Sequence, residues 1–363
     1  MMAIYDINQV IQKAQEYGAS DIHVIYGKPI RLRIDGSLRD YDDHILTDED
    51  CETIATVLAG DRIDAIKKIG EVDFASTIAG NIRCRFNVFK QQGHFSTAIR
   101  ILNDRIPDLD KLGLPPVVSD FAKYPRGIVL VTGETGSGKS TTLAALIDRI
   151  NSTRHEHIIT LEDPIEYVYE QKLCSINQRE IGQDTKSYQN GLKAILREDP
   201  DIILIGELRE LETIEIALTA AETGHLVFAT VHTNSAADTI DRVVNVFPGE
   251  KQQQIRLQLS MTLKAVLCQQ LLPHASGRGR ALACEVMVTN SAIKNLIREG
   301  KTPQIMNAIA TSAVEGNISM DNFILNLYKN NKITAQTAID SAHDADYVKQ
   351  AITASTYRSD RSR

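Results

Sequence analysis

Residues 127–148 read GIVLVTGETGSGKSTTLAALID: an apolar run, a glycine-rich turn ending in Lys-Ser, and a helix-forming stretch. Gly133, Gly138, Lys139 and Ser140 occupy the fixed positions of the pattern GxxxxGK[ST], with Glu134, Thr135, Gly136 and Ser137 between them. The pattern carries meaning only between a strand and a helix, which is where it stands. Glycines let backbone N–H groups converge on phosphate oxygens, and the helix N-terminus adds its dipole. Lys139 offsets β/γ charge and the Ser140 hydroxyl reaches Mg²⁺. Thr141 then falls near an α-phosphate.

Working outward, HIITL (157–161), DIILI (201–205) and LVFATV (226–231) are near-continuous apolar runs separated by helical stretches. Strands buried on both faces and alternating with helices predict a parallel α/β sheet. Ligands of such sheets gather at the carboxyl ends of the strands. The candidates there are Glu162, Asp163 and Glu166 in LEDPIEY, Glu207 after DIILIG, and His232 in ATVHT. Hydrolysis needs a carboxylate to orient or deprotonate water, and Glu207 is the candidate for that role. Gly206 stands where an Asp usually precedes such a Glu. Asp163 before Pro164 equally suits a turn, and a strand-end histidine such as His225 or His232 equally suits a structural role.

Residues 1–103 read as a small α+β domain. Ile7, Val10, Ile11 and Ala14 recur at helical spacing; Ile30, Leu32 and Ile34 alternate with arginines; Thr47 and Asp50 form a capping box. A hairpin around 79–81 leads into a strand burying Ile82, Cys84, Phe86 and Val88, with Arg83 and Arg85 together on its other face. The Pro- and Asp-rich stretch 104–116 reads as a linker, 117–288 as the α/β core, 289–355 as helices, and 356–363 as a disordered tail.

Forty Lys and Arg against 47 Asp and Glu give a net charge of −7, which disfavours a nucleic-acid partner. The five cysteines, at 51, 84, 174, 268 and 284, include no CxxC pair and suggest reduced thiols in the cytoplasm. The opening MMAIYDINQV has no leader pattern, and no run approaches the ~18 apolar residues of a membrane span.

With GETGSGKST, ITLEDPIEY, REDPDIILIGELRE and TGHLVFATVHTNSAADTIDR in order, the chain resembles the secretion ATPase superfamily. These are its Walker A loop, acidic box, atypical Walker B and histidine box. More narrowly it resembles the retraction ATPases of type IV pili and twitching motility, the PilT type. AIKNLIRE (292–299) is close to that subgroup's AIRNLIRE signature, associated with retraction rather than hydrolysis. The resemblance implies a RecA-like P-loop NTPase core with an N-terminal PAS-like α+β domain and C-terminal helices. It implies ATP and Mg²⁺ as cofactors, with Ser140 and Glu162 toward the metal. Glu207, Glu162, Glu166 and His232 become the catalytic candidates, and Arg83, Arg85 and Arg100 become phosphate contacts held between the N-terminal and core domains. The family's N-Q-x-R-G turn lacks its arginine here, reading Gln91-Gln92-Gly93-His94.

A homohexamer, a pilus inner-membrane platform protein as partner, and a cytoplasmic place at the inner face of the membrane complete the expectation. The alternatives are an accessory retraction ATPase, a pilus-assembly or secretion ATPase, and a RecA-like nucleic-acid translocase. Assembly and secretion ATPases usually carry a longer N-terminal extension and a tetracysteine metal site, neither of which is seen here. A translocase would show basic segments tracking phosphates, whereas Lys and Arg are dispersed along this chain.

Overall fold

The computed structural model describes residues 5–34, 36–102 and 105–360, the last six by backbone alone. The chain divides into two compact units, Met1–Arg105 with Pro164–Val168, and Ile106–Asp163 with Tyr169–Arg363.

The first unit holds helices α1 (Ile7–Glu16), α2 (Asp48–Ala59) and α3 (Ile63–Ile69) and strands β1 (Asp21–Val24), β2 (Arg31–Ile34), β3 (Ser37–Asp40), β4 (Glu71–Ile78), β5 (Ile82–Gln91) and β6 (His94–Ile101). The strands form an antiparallel sheet in the order β3-β2-β1-β6-β5-β4. The Thr47 hydroxyl accepts from Asp50 N while the Asp50 carboxylate accepts from Thr47 N, so two free donors of α2 are satisfied reciprocally. Ile7, Val10, Ile11 and Ala14 of α1 and Ile82, Cys84, Phe86 and Val88 of β5 meet in one buried core. The alternation that buries those β5 residues sends Arg83 and Arg85 to the opposite face.

The second unit is built on a seven-stranded sheet in the order β13-β12-β7-β11-β10-β8-β9. Its strands are β7 (Gly127–Thr132), β8 (His157–Glu162), β9 (Ser175–Glu180), β10 (Ile202–Ile205), β11 (Leu226–Val231), β12 (Leu263–Pro273) and β13 (Arg280–Val288). All neighbours are parallel except the edge pair β12–β13. The four apolar runs of the sequence are β7, β8, β10 and β11, and every residue of β7, β10 and β11 is buried. Helices α4 (Val117–Asp120), α5 (Lys139–Asn151), α6 (Tyr188–Ile195), α7 (Leu211–Glu222), α8 (Ala236–Asn245) and α9 (Gly249–Thr262) connect them.

The helices beyond 289 are not a segment apart. They are α10 (Ser291–Glu299), α11 (Ile305–Thr311), α12 (Met320–Lys329), α13 (Ala335–Asp340) and α14 (Ala345–Asp360). Ile293, Ile309, Ile324 and Val348 share one buried core with strand residues Leu130, Ile203 and Val266. Because α14 runs to Asp360, the start of the stretch expected to be a disordered tail is helical, and 361–363 lie outside the described residues. The stretch expected as a linker is likewise tied down: Leu109 is buried, and Asp108 and Asp110 both accept from Arg149, while 103 and 104 are outside the described residues. Among the described residues no helix is long and apolar enough to cross a membrane.

Glu285, on β13, is fully buried, and its carboxylate accepts from Ala236 N at the start of α8, 2.8 Å away. Burial pushes its pKa up against that bond. Nearby, Asp321 on α12 accepts from His343 N and Asp344 N, capping the start of α14.

Candidate active site

The turn after β7 is held open by backbone conformation. Gly133, Gly136 and Gly138 all take positive φ, at 138°, 82° and 94°. At Gly133 the space is closed as well: a Cβ there would stand 2.3 Å from Gln269 O and 2.5 Å from Ser137 Oγ. Only glycine serves. Lys139 opens α5 and is buried, and its Nζ donates to the carbonyls of Gly133 and Glu134, 2.8 Å each. A buried ammonium needs acceptors, and here neutral main-chain oxygens supply them. Ser137 Oγ is buried with no hydrogen-bond partner among the described residues. A glycine cradle, a lysine on exchangeable acceptors and an orphaned hydroxyl fit a phosphate chain.

The four motif-bearing strands β7, β11, β10 and β8 are consecutive neighbours and all parallel. Their carboxyl ends therefore line up the glycine turn, His232, Glu207 and Glu162 along one edge of the sheet. Two strand spacings, about 10 Å, separate the end of β7 from that of β10, room for a terminal phosphate and a water. Glu207 accepts from Arg209 Nε, and His232 Nε2 lies 3.4 Å from Glu207 Oε1. Glu162 accepts from the Thr160 hydroxyl at 2.6 Å and from Gln178 at 3.3 Å.

Between these carboxylates lies a residue that sequence reasoning missed. Tyr188, from α6, lines a cavity of about 200 Å³ with Asp163, Glu207, Arg209, Glu210 and Thr213. Burial, then the charges of Asp163, Glu162 and Glu207, push its phenol pKa up, so it stays protonated. Its hydroxyl also explains Gly206: a Cβ at 206 would stand 2.8 Å from Tyr188 Oη and 3.2 Å from Leu161 O. An aspartate at this position would have to displace the phenol. Asn234 is a second missed contact, its amide 3.4 Å from Glu134 Oε1. The third is Gln269, which donates to the Thr142 hydroxyl at 2.9 Å. No local pattern marked any of the three, because packing from distant segments brings them in.

The other sequence candidates, His225 apart, belong to the first unit. Glu166 lies in the short segment 164–168 that belongs to the first unit. Arg83, Arg85 and Arg100 are also in the first unit, where Arg85 and Arg100 face each other across β5 and β6. Arg85 Nε is 3.1 Å from Asp73, Arg100 Nε is 2.9 Å from Asp21, and Arg83 donates to Ile165 O. Burial raises the Asp21 pKa, yet its hydrogen bonds to Arg100 and Ser20 win and hold it low. At the turn lacking the family arginine, His94 stacks on Tyr26 with centroids 3.9 Å apart and bonds Asp48 at 2.6 Å. His225 bonds the Ala220 carbonyl, which accounts for it as a structural histidine.

Comparison with known proteins gives a consistent set of matches. A family model described as type II/IV secretion system protein matches residues 2–358. The "Type IV pilus retractation ATPase PilT" of Pseudomonas aeruginosa is 43% identical over 338 residues, covering 93% of this chain and 98% of that one. The "Twitching motility protein" of Neisseria gonorrhoeae is 42% identical over 87% of this chain and 84% of its own. Among solved structures, the "Pilus Retraction Motor PilT and Bound ADP" superposes with a TM-score of 0.89 at 44% identity, covering 95% of this chain and 99% of that one.

Proposed function

This chain belongs to the type II/IV secretion system protein family, and from that premise we propose that it is a motor ATPase driving type IV pilus retraction. The observation that carries the reading is Lys139 seated on two main-chain carbonyls within a glycine cradle. An incoming β/γ-phosphate offers the ammonium anionic oxygens in place of neutral ones, a stronger bond that the lysine can adopt without leaving the loop. The Ser137 hydroxyl gains the acceptor it lacks.

Mg²⁺, when bound, would supply positive charge that offsets charge developing on the phosphates. Ser140, the second residue of α5, would hold it. Among the described residues no group of three or more His, Cys, Asp or Glu side chains is arranged to hold a metal. Glu207 is assigned the attacking water. His232, beside it, restrains the carboxylate, while the Tyr188 phenol supplies a donor that does not titrate. Glu162, fixed by Thr160 and Gln178, is assigned a role in polarising waters near the metal.

The remaining assignments follow the family: a homohexameric ring, a pilus platform protein at the inner face of the cytoplasmic membrane, and α10 as a transmitter of force. Arg83, Arg85 and Arg100 are proposed to add charge to bound phosphates. Expression of the wild-type chain should restore retraction to cells deleted for their own copy, and Lys139→Ala should not. Restoration by Lys139→Ala would uncouple the motor reading from ATP.

A further inference from the structure

At the N-terminal end of β7, opposite the glycine turn, three cations gather without an acid. Arg126 precedes β7 and is exposed; Lys264 is the second residue of β12, and Lys294 lies on α10, both half-buried. The chain of Lys264 runs across the α-carbon of Gly127, where an added Cβ would stand 2.6 Å from its Cε and 2.7 Å from its Cγ. Among the described residues, none of the three side chains makes an ion pair or hydrogen bond. Burial first, then Lys294 and Arg126, push the Lys264 pKa down, and no carboxylate opposes them. The other charges of α10 are already engaged, Arg298 with Asn295 and Glu299 with Lys301. Leu257 and Met261, at i and i+4 on the last turns of α9 just before β12, are exposed. An unbalanced basic recess in a chain of net charge −7 calls for an anion, and the exposed apolar pair calls for side chains as well as charge.

We propose that Arg126, Lys264 and Lys294, with Leu257 and Met261, form a docking site for a short acidic segment of a partner protein that carries both carboxylates and apolar side chains. A peptide fits better than an anionic bilayer. Two of the cations are recessed, within reach of a side chain but not of a flat anionic surface. The site stands apart from the nucleotide reading, since β7 is six residues, roughly 20 Å, long.

The test is fluorescence anisotropy of the full chain with a labelled decapeptide of eight glutamates and two leucines. Saturable binding should weaken at least about fivefold in each of Lys264→Gln, Lys294→Gln and Arg126→Gln, and fall as salt rises from about 50 to 300 mM. Arg126, being exposed, covers the case in which a change at Lys264 disturbs folding, and ATP turnover of all three should stay within about twofold of wild type. Unchanged peptide affinity would overturn the proposal. So would loss of sedimentation with phosphatidylserine vesicles, or altered self-association in ultracentrifugation, when the peptide affinity does not move.

Discussion

Two lysines stand at opposite ends of the adjacent strands β7 and β12, and their circumstances are reversed. Lys139 is buried, yet two main-chain oxygens hold its ammonium at 2.8 Å. Lys264 is less buried and has only like charges for company. The first end carries its own stand-in for the ligand, so the empty fold bears little desolvation cost and the lysine is already aimed. The second end has no stand-in, and an outside anion would balance its charge. A site for a strong polyanion can afford competing neutral acceptors; a weak docking site gains affinity by having none.

The largest effect expected is at the glycine turn. Lys139→Ala should reduce ATP turnover by more than about a hundredfold, because the cation facing the β/γ-phosphates is gone. Turnover within about twofold of wild type would erase the contrast between the two ends. Glu207→Gln keeps shape while losing charge, so hydrolysis should fall about 10²-fold or more with ATP still bound. A fluorescent-nucleotide titration beside single-turnover kinetics separates the two, and parallel loss of binding would make Glu207 structural.

Smaller effects probe the packing around the site. Gly206→Ala should cost about 1–3 kcal/mol through collision with the Tyr188 hydroxyl, and Tyr188→Phe should recover part of it. Additive destabilisation in the double variant would locate the strain at the Leu161 carbonyl instead. Glu285→Gln bears on pH. A carboxyl whose folded pKa is raised contributes stability that is full below its unfolded pKa and lost as pH rises through the folded value. The Tm of Glu285→Gln should therefore gain on wild type between pH 4 and 8, by about a few degrees. A gap that narrows with rising pH would mean the carboxylate is welcome in its charged form.

The core strands and the glycine turn were legible because they are local: apolar runs long enough to be strands, each ending in the residue that matters. The edges were not. β9, SINQRE, is polar along most of its length, and Gln269 and Gln270 interrupt the apolar pattern of β12. Period two groups Arg83 and Arg85 on one face of β5, and strand register then sets Arg100 of β6 opposite Arg85. Their partners Asp21, Asp73 and the Ile165 carbonyl depend on strand register and a loop returning from far along the chain. Gly206 looked like a missing aspartate, and only the position of Tyr188 makes it a steric requirement.

That last contact constrains divergence. Positions 188 and 206 lie on different elements, yet the phenol of one occupies the space a side chain on the other would need. Position 206 is not free to grow while 188 keeps its phenol in place. A lineage acquiring an aspartate at 206 must move or shorten the side chain at 188, exchanging an uncharged proton donor for an ionisable carboxylate. A set of aligned sequences should show the two positions as linked, with tyrosine at 188 and aspartate at 206 together the rarest combination.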